Sequence, residues 1–246
     1  MYLYVTDARN CRIQKFTPEG ELIEVWGSDG SGFGEFTTPV GIAADTNGDI
    51  YVTETANRRV QKFSSEGKVL KTWGNGGSRN SKPVWGSEGY EDWEINRPWG
   101  VVTDSLADVY VVDRFADRIQ KFTSDGEFLT TWGKGGTGTG QFDDPHGIAV
   151  DNFGNVYVAD VGNNRIQVFS PEGKFMRAWG KTGSAHGEFN GPGGIVIDES
   201  GIVYVADSHN HRIQKFTSEG KFLAAWGSKG TGEGQFDLPI GIAVGD

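Results

Sequence analysis

A single cysteine, Cys11, stands in a chain of 246 residues. It excludes an intrachain disulfide and a cysteine-based zinc site. Histidine is almost as scarce, at four residues. There is no His-Glu-x-x-His pair of the kind that holds a catalytic zinc, and no Gly-x-Ser-x-Gly elbow around any serine. No apolar run approaches the roughly 18 to 20 residues that a membrane helix needs, so no membrane partner is expected. Met1 is followed directly by a strand-like segment, without the basic and apolar regions of a leader, so no signal peptide is expected in the chain as it stands. Positive charge is also short: 23 Lys and Arg against 33 Asp and Glu leave a formal charge of −10. A dedicated nucleic-acid binder needs a positive field, so no nucleic-acid partner is expected either. Proline is sparse at 8 residues, whereas glycine reaches 38 and aromatics make up 12%. That much aromatic content argues against disorder, and the glycine fits turns between many short strands.

What the chain has in plenty is itself. A Trp-Gly phrase recurs at Trp26, Trp73, Trp132, Trp179 and Trp226, in steps of 47, 59, 47 and 47. Arg12, Arg59, Arg118, Arg165 and Arg212 open an Arg-Ile/Val-Gln phrase with the same steps. Gly41, Gly100, Gly147, Gly194 and Gly241 open a third phrase, again spaced 59, 47, 47 and 47. Three anchors therefore agree on five units of 47 residues, one of them carrying a 12-residue insertion between Trp73 and Pro98.

One unit reads clearly from Pro145 onward. Gly147–Asp151, Val156–Asp160, Arg165–Phe169 and Phe175–Trp179 are short apolar or alternating runs, separated by the turn signals Asn152–Asn155 and Pro171–Gly173. Four strands of about five residues make one antiparallel meander. No stretch has helical period over a helical length. Residues 1–246 are therefore expected to form one all-β domain, a β-propeller of five four-stranded antiparallel blades. The termini complement each other. Met1–Val5 matches a unit's second strand and Ile240–Val244 its first, which predicts a ring closed by their pairing in one blade. A monomer is expected.

The phrases Pro-x-Gly-Ile-Ala-Val-Asp, Val-Tyr-Val-Ala-Asp and Asn-x-Arg-Ile-Gln-Lys-Phe, closed by Trp-Gly, resemble the NHL repeat. The resemblance runs through essentially the whole chain, five times over. It implies a β-propeller, and six blades are the family norm, so a six-bladed ring is the alternative to five. The family includes protein-binding platforms, RNA-binding domains, bacterial sensor domains and a peptide-amidating lyase, so the fold implies an architecture and not a reaction. The lyase holds metal through histidines from several blades. Here His146 occupies one such position, but its equivalents are Val40, Trp99, Gly193 and Ile240, so that metal site does not carry over. No cofactor, metal or catalytic residue is assigned.

Residues kept in every unit have a packing explanation. The repeat tryptophans and Phe16, Phe63, Phe122, Phe169 and Phe216 are expected between blades. Asp7, Asp113, Asp160 and Asp207, each five residues before a repeat arginine, are expected to form ion pairs within a blade or Asx-type turns, with Glu54 replacing Asp in the second unit. The stretches Gly30–Gly34 and Gly135–Gly140 are expected to be connections, since no helix follows to complete a phosphate loop.

Function is sought where the units differ. Blade connections and strand two–three loops share one face of an up-and-down blade. On that face the chain places Trp99, His146, Arg114, Phe115, Arg9 and His209, and the insertion adds Trp85 and Trp93. This surface is the expected ligand-binding face. The reading favours a non-enzymatic scaffold that presents this variable face to a protein, peptide or small ligand. The alternatives are a metal-dependent lyase or lactonase-like enzyme and an engineered or purely structural repeat scaffold.

Overall fold

Residues 2–74 and 91–244 are described in a computed structural model of the chain. Nineteen strands form five antiparallel sheets among these residues. The first sheet contains β1 (Leu3–Asp7), β2 (Arg12–Phe16) and β3 (Leu22–Trp26). The second contains β4 (Pro39–Ala44), β5 (Ile50–Glu54), β6 (Arg59–Phe63) and β7 (Val69–Gly74). The third contains β8 (Pro98–Thr103), β9 (Val109–Asp113), β10 (Arg118–Phe122) and β11 (Phe128–Trp132). The fourth contains β12 (Pro145–Val150), β13 (Val156–Asp160), β14 (Arg165–Phe169) and β15 (Phe175–Trp179). The fifth contains β16 (Pro192–Ile197), β17 (Val203–Asp207), β18 (Arg212–Phe216) and β19 (Phe222–Trp226). Each sheet is an in-order meander, the blade of a β-propeller. The chain divides into two compact units, Met1–Leu129 and Thr130–Asp246.

Blades pack as the repeated aromatics require. In the first unit, Trp26 stacks on Phe63 of the next blade with centroids 6.1 Å apart, and Trp73 meets Phe122 at 6.0 Å. In the second unit, Trp179 meets Phe216 at 5.9 Å. Each indole also lies under a turn of the following blade. A Cβ on Gly126 would fall 2.6 Å from the Trp73 ring, and Gly126 has φ +76. Glycine is required there twice over, by space and by backbone conformation. The inner strands touch through another glycine: a Cβ on Gly41 would lie 2.3 Å from the Trp99 carbonyl oxygen, and one on Gly147 2.4 Å from that of Gly193.

The second strands are the core. All five residues of β5, β9 and β13 are buried. β1 is the exception. It pairs with β2 alone, so the first sheet has three strands. Tyr2 and Leu3 are 54% exposed and Val5 39%. The pairing of Met1–Val5 with Ile240–Val244 expected from the sequence is not present among the described residues. Ile240–Val244 lies outside any strand. It is held instead against the fifth sheet, where the Pro239 carbonyl accepts a 2.7 Å bond from Ser208 Oγ and the Ile240 carbonyl faces Gly194. That contact is tethered by the short connection from β19.

Candidate functional site

The repeated polar residues build a rigid base for the variable ones. In the fourth blade, buried Asp160 accepts from the Asp143 backbone N–H at 2.8 Å, from Arg165 Nε at 2.7 Å and from Gln167 Nε2 at 3.0 Å. Arg165 then donates to the Gly138 and Gln141 carbonyls, both at 2.8 Å. Asp207 with Arg212 and Gln214 repeats the arrangement in the fifth blade. Glu54, with Arg59 and Gln61, repeats it in the second, so the longer acid serves the same network. Burial raises the Asp113 and Asp160 carboxyls from the ordinary aspartate value, against the opposing pull of their N–H donors and arginines. These acids form the expected ion pair with the repeat arginine within the blade, and they also fasten the glycine-rich connection, a role the sequence reading did not assign. The connections themselves fold back on a parallel bridge, Asp29 to Phe36 and Gly135 to Phe142.

Each connection also bonds the loop between strands two and three of its own blade. Arg114 N donates to Arg97 O at 3.0 Å, Gly162 N to Asp143 O at 2.8 Å and His209 N to Asn190 O at 3.0 Å. The two variable segments therefore sit at one end of each blade. The first strand is bulged there as well, between Pro98 and Val101 in the third blade and between Pro145 and Ile148 in the fourth. A bulge re-aims the side chain it carries. Trp99 and His146 are the side chains at those two bulges.

Three of the expected residues come together in the third blade. The Arg114 guanidinium lies 4.6 Å from the Trp99 ring centroid and 5.9 Å from that of Phe115. A fourth residue, which the sequence reading missed, completes the group: the Arg97 guanidinium stands 4.2 Å over the Phe115 ring. Burial, together with the like charges of Arg114 and Arg58, holds Arg97 below the ordinary arginine value. A guanidinium keeps its charge and only donates, so this cluster can bind and orient an anion but cannot shuttle protons.

The other expected residues are dispersed. His146 Nε2 lies 3.3 Å from Asp144 Oδ2. His209 occupies a short 3-10 turn, Ser208–Asn210, with its ring against Gly191. Arg9 lies exposed in the equivalent turn, Ala8–Asn10. Trp93 is 49% exposed. Trp85 lies outside the described residues. Among the described residues, no three His, Cys, Asp or Glu side chains are grouped to hold a metal ion.

A cleft of about 380 Å³ opens at the other end of the fourth and fifth blades, where Phe153, Tyr157, Arg177, Glu199 and Glu219 line it. Its polar floor is committed internally. Arg177 donates to the Ser218 carbonyl at 3.0 Å and to the Tyr157 hydroxyl at 3.1 Å, and that hydroxyl donates to Asp151 at 3.2 Å.

Comparison with known proteins agrees with the sheets. The NHL repeat family matches residues 36–63, 142–169 and 189–216. Protein wech of Drosophila melanogaster is 41% identical over 51 residues, covering 20% of this chain and 6% of that protein. Protein lin-41 of Caenorhabditis elegans is 43% identical over 47 residues, covering 19% of this chain and 4% of that protein. The chain thus spans only a small part of these relatives. Among solved structures, a catalytically inactive virginiamycin B lyase from Staphylococcus aureus with quinupristin matches with a TM-score of 0.66 at 16% identity, over 90% of this chain and 65% of that one. A gluconolactonase from Xanthomonas campestris matches with a TM-score of 0.62 at 16% identity, over 90% of this chain and 70% of that one. A nidogen/laminin complex matches with a TM-score of 0.61 at 18% identity, over 88% of this chain and 73% of that one. At such identities the likeness is one of fold.

Proposed function

We propose that this β-propeller, matched by the NHL repeat family at residues 36–63, 142–169 and 189–216, is a non-enzymatic binding scaffold whose variable loop face receives a protein, peptide or small ligand. The observation that carries the proposal is the group formed by Trp99, Arg114, Phe115 and Arg97. Each of these residues stands at a position where the five units differ, and three guanidinium–ring contacts of 4.2 to 5.9 Å link them. A shared packing problem explains a residue found in all five blades but not a residue found in one. Arg9 and Trp93 are the further residues proposed for it in the same unit, and His146 and His209 are the corresponding candidates of the second unit. A tryptophan covered by a ligand contributes on the order of a few kcal/mol.

The test is an interaction map. The immobilised chain captures partners, and each is re-measured against Trp99→Ala, Phe115→Ala and the double variant. A loss of roughly tenfold or more, about 1.4 kcal/mol, is expected for Trp99→Ala with the melting temperature retained. Phe115 is nearly buried, so its variant is interpreted beside its own melting curve. Retained affinity, with loss on changes in the Asn152–Asn155 and Pro171–Gly173 turns, would place the binding face at the opposite end.

A metal-dependent lyase or lactonase remains the second reading, supported by the fold shared with such enzymes. It requires converging ligands. Stoichiometric metal in the purified protein, lost on His146→Ala, would establish it in place of the scaffold.

A further inference from the structure

We propose that the cleft at the other end of the fourth and fifth blades is a carbohydrate subsite, which seats one pyranose ring with its C–H face on Phe153 and its hydroxyls between Arg177 and the carboxylates of Glu199 and Glu219. This goes beyond the loop-face reading and does not depend on it.

Two of the lining residues depart from the repeat. Phe153 stands where other units have Asn47, Leu106 and Ser200, and Arg177 where they have Glu24, Lys71, Thr130 and Ala224. Phe153 is 86% exposed, so its ring is open to a ligand.

The polar groups around it are held in place by the protein itself. Arg177 Nε and Nη2 are spent on the Ser218 carbonyl and the Tyr157 hydroxyl, and among the described residues Nη1 has no hydrogen-bond partner. Asp151 is filled. It accepts from the Phe153 and Asn155 N–H groups at 2.9 and 2.8 Å, from Asn155 Nδ2 at 2.9 Å and from Tyr157 at 3.2 Å. Those bonds fix the turn that carries Phe153. Asn152 Nδ2 donates to the Glu199 carbonyl at 3.2 Å and ties the same turn to the next blade. Among the described residues, no donor reaches the Glu199 carboxylate. Hydrogen bonds from Ser218 and Thr217 hold the Glu219 carboxyl below the ordinary glutamate value, so it is an acceptor at neutral pH.

The cleft thus offers carboxylate acceptors, one guanidinium donor and one aromatic face. An anionic ligand would meet Glu199 and Glu219, and a cationic one would meet Arg177. A neutral polyol meets neither penalty, because a hydroxyl donates to a carboxylate and accepts from a guanidinium. A pyranose adds a flat face of C–H bonds, whose slight positive charge suits the negative π face of Phe153. The volume, about 380 Å³, lies in the range of small-ligand sites.

The test is saturation-transfer NMR on the full chain, with methyl β-D-glucopyranoside as the probe and sorbitol and tetramethylammonium as comparisons. The glucoside should take up saturation on its ring C–H protons, with a dissociation constant on the order of 1 mM, the scale for so few atoms. Its affinity should change little between low salt and about 0.15 M, because the ligand is neutral. Sorbitol has the hydroxyls but no ring face and should bind more weakly. Phe153→Ala should lower glucoside affinity roughly tenfold with the melting temperature retained, because the lost ring is exposed. Glu199→Ala should weaken binding as well. No saturation at roughly tenfold above the expected constant would overturn the subsite. Unchanged binding in Phe153→Ala, or sorbitol binding as tightly as the glucoside, would overturn the ring contact on which it is built. Tighter, salt-sensitive binding of tetramethylammonium would make this a cation site and overturn the carbohydrate assignment. Glucoside binding lost in Trp99→Ala but kept in Phe153→Ala would place the sugar on the loop face instead.

Discussion

One substitution within the repeat shows how a single residue is accommodated. Lys15, Lys62, Lys121 and Lys215 each set an ammonium over a tyrosine of the second strand, at 4.9 to 5.7 Å for the ring in the same blade. In the fourth blade the position is Val168, which has no charge to offer. Its cross-strand partner is Arg177, and that guanidinium stands 5.9 Å from the Tyr157 ring. The cation is supplied from the neighbouring strand. Its equivalents are Glu24, Lys71, Thr130 and Ala224, so the arginine is special to the blade that lacks the lysine. Arg177→Ala should therefore cost about 1 kcal/mol by chemical denaturation, the scale of one such contact, and adding Val168→Lys should recover much of it. Additive losses in the double variant would show that the two positions do not share a task. Arg97 illustrates the opposite case. The column Thr38, Arg97, Asp144, Gly191, Leu238 holds five residue types, so there is no repeat for Arg97 to break. Trp99 and Phe115 could be picked out from sequence because each is a large hydrophobic ring in a loop position where no other unit has one. The guanidinium over Phe115 could not, since its position depends on a backbone turn that the other blades do not share.

Among the elements, equivalent strands differ according to what covers them. β5 is paired on both sides, whereas β1 is paired only with β2. Val52 is 0% exposed and its equivalent Val5 is 39% exposed. Val52→Ala should cost roughly 2 kcal/mol, from two lost methyl groups and the cavity they leave. Val5→Ala should lie within about 0.5 kcal/mol of the parent, as for an ordinary surface change. Equal losses in urea melts would mean that β1 is covered in solution. Strand boundaries were legible from the sequence, because alternation recurs with each unit and the turn after the third strand closes on an acid and a glycine every time, at Gly20, Gly67, Gly126, Gly173 and Gly220. The state of Ile240–Val244 was not. Its sequence is that of an inner strand, and it does face the preceding blade as an inner strand does, through Ile240 O and Gly194. Pairing within a blade is a separate contact, and the phrase alone does not decide whether it forms.

For the molecule as a whole, alkaline titration should report on the buried tyrosines. Burial, with Asp104 close to one and Asp151 to the other, pushes Tyr110 and Tyr157 up from 10.0 to about 12, and Tyr51 is raised likewise. The folded state therefore holds these protons more tightly than the unfolded chain. Their contribution to stability is whole below the unfolded value of 10.0 and is lost as pH rises toward 12. Tyrosinate absorbance should rise in step with loss of sheet signal, and a full tyrosinate rise below pH 10 in the folded protein would contradict this. The side-chain bonds that tie one blade to the next carry a kinetic consequence. Thr53 reaches Trp99 across 46 residues, Asn152 reaches Glu199 across 47 and Tyr157 reaches Ser218 across 61. Such separations follow the length of one repeat and not that of the chain. The mean sequence distance that must close during folding is then nearly independent of how many blades are present, so gaining or losing a repeat leaves the rate of each docking step almost unchanged.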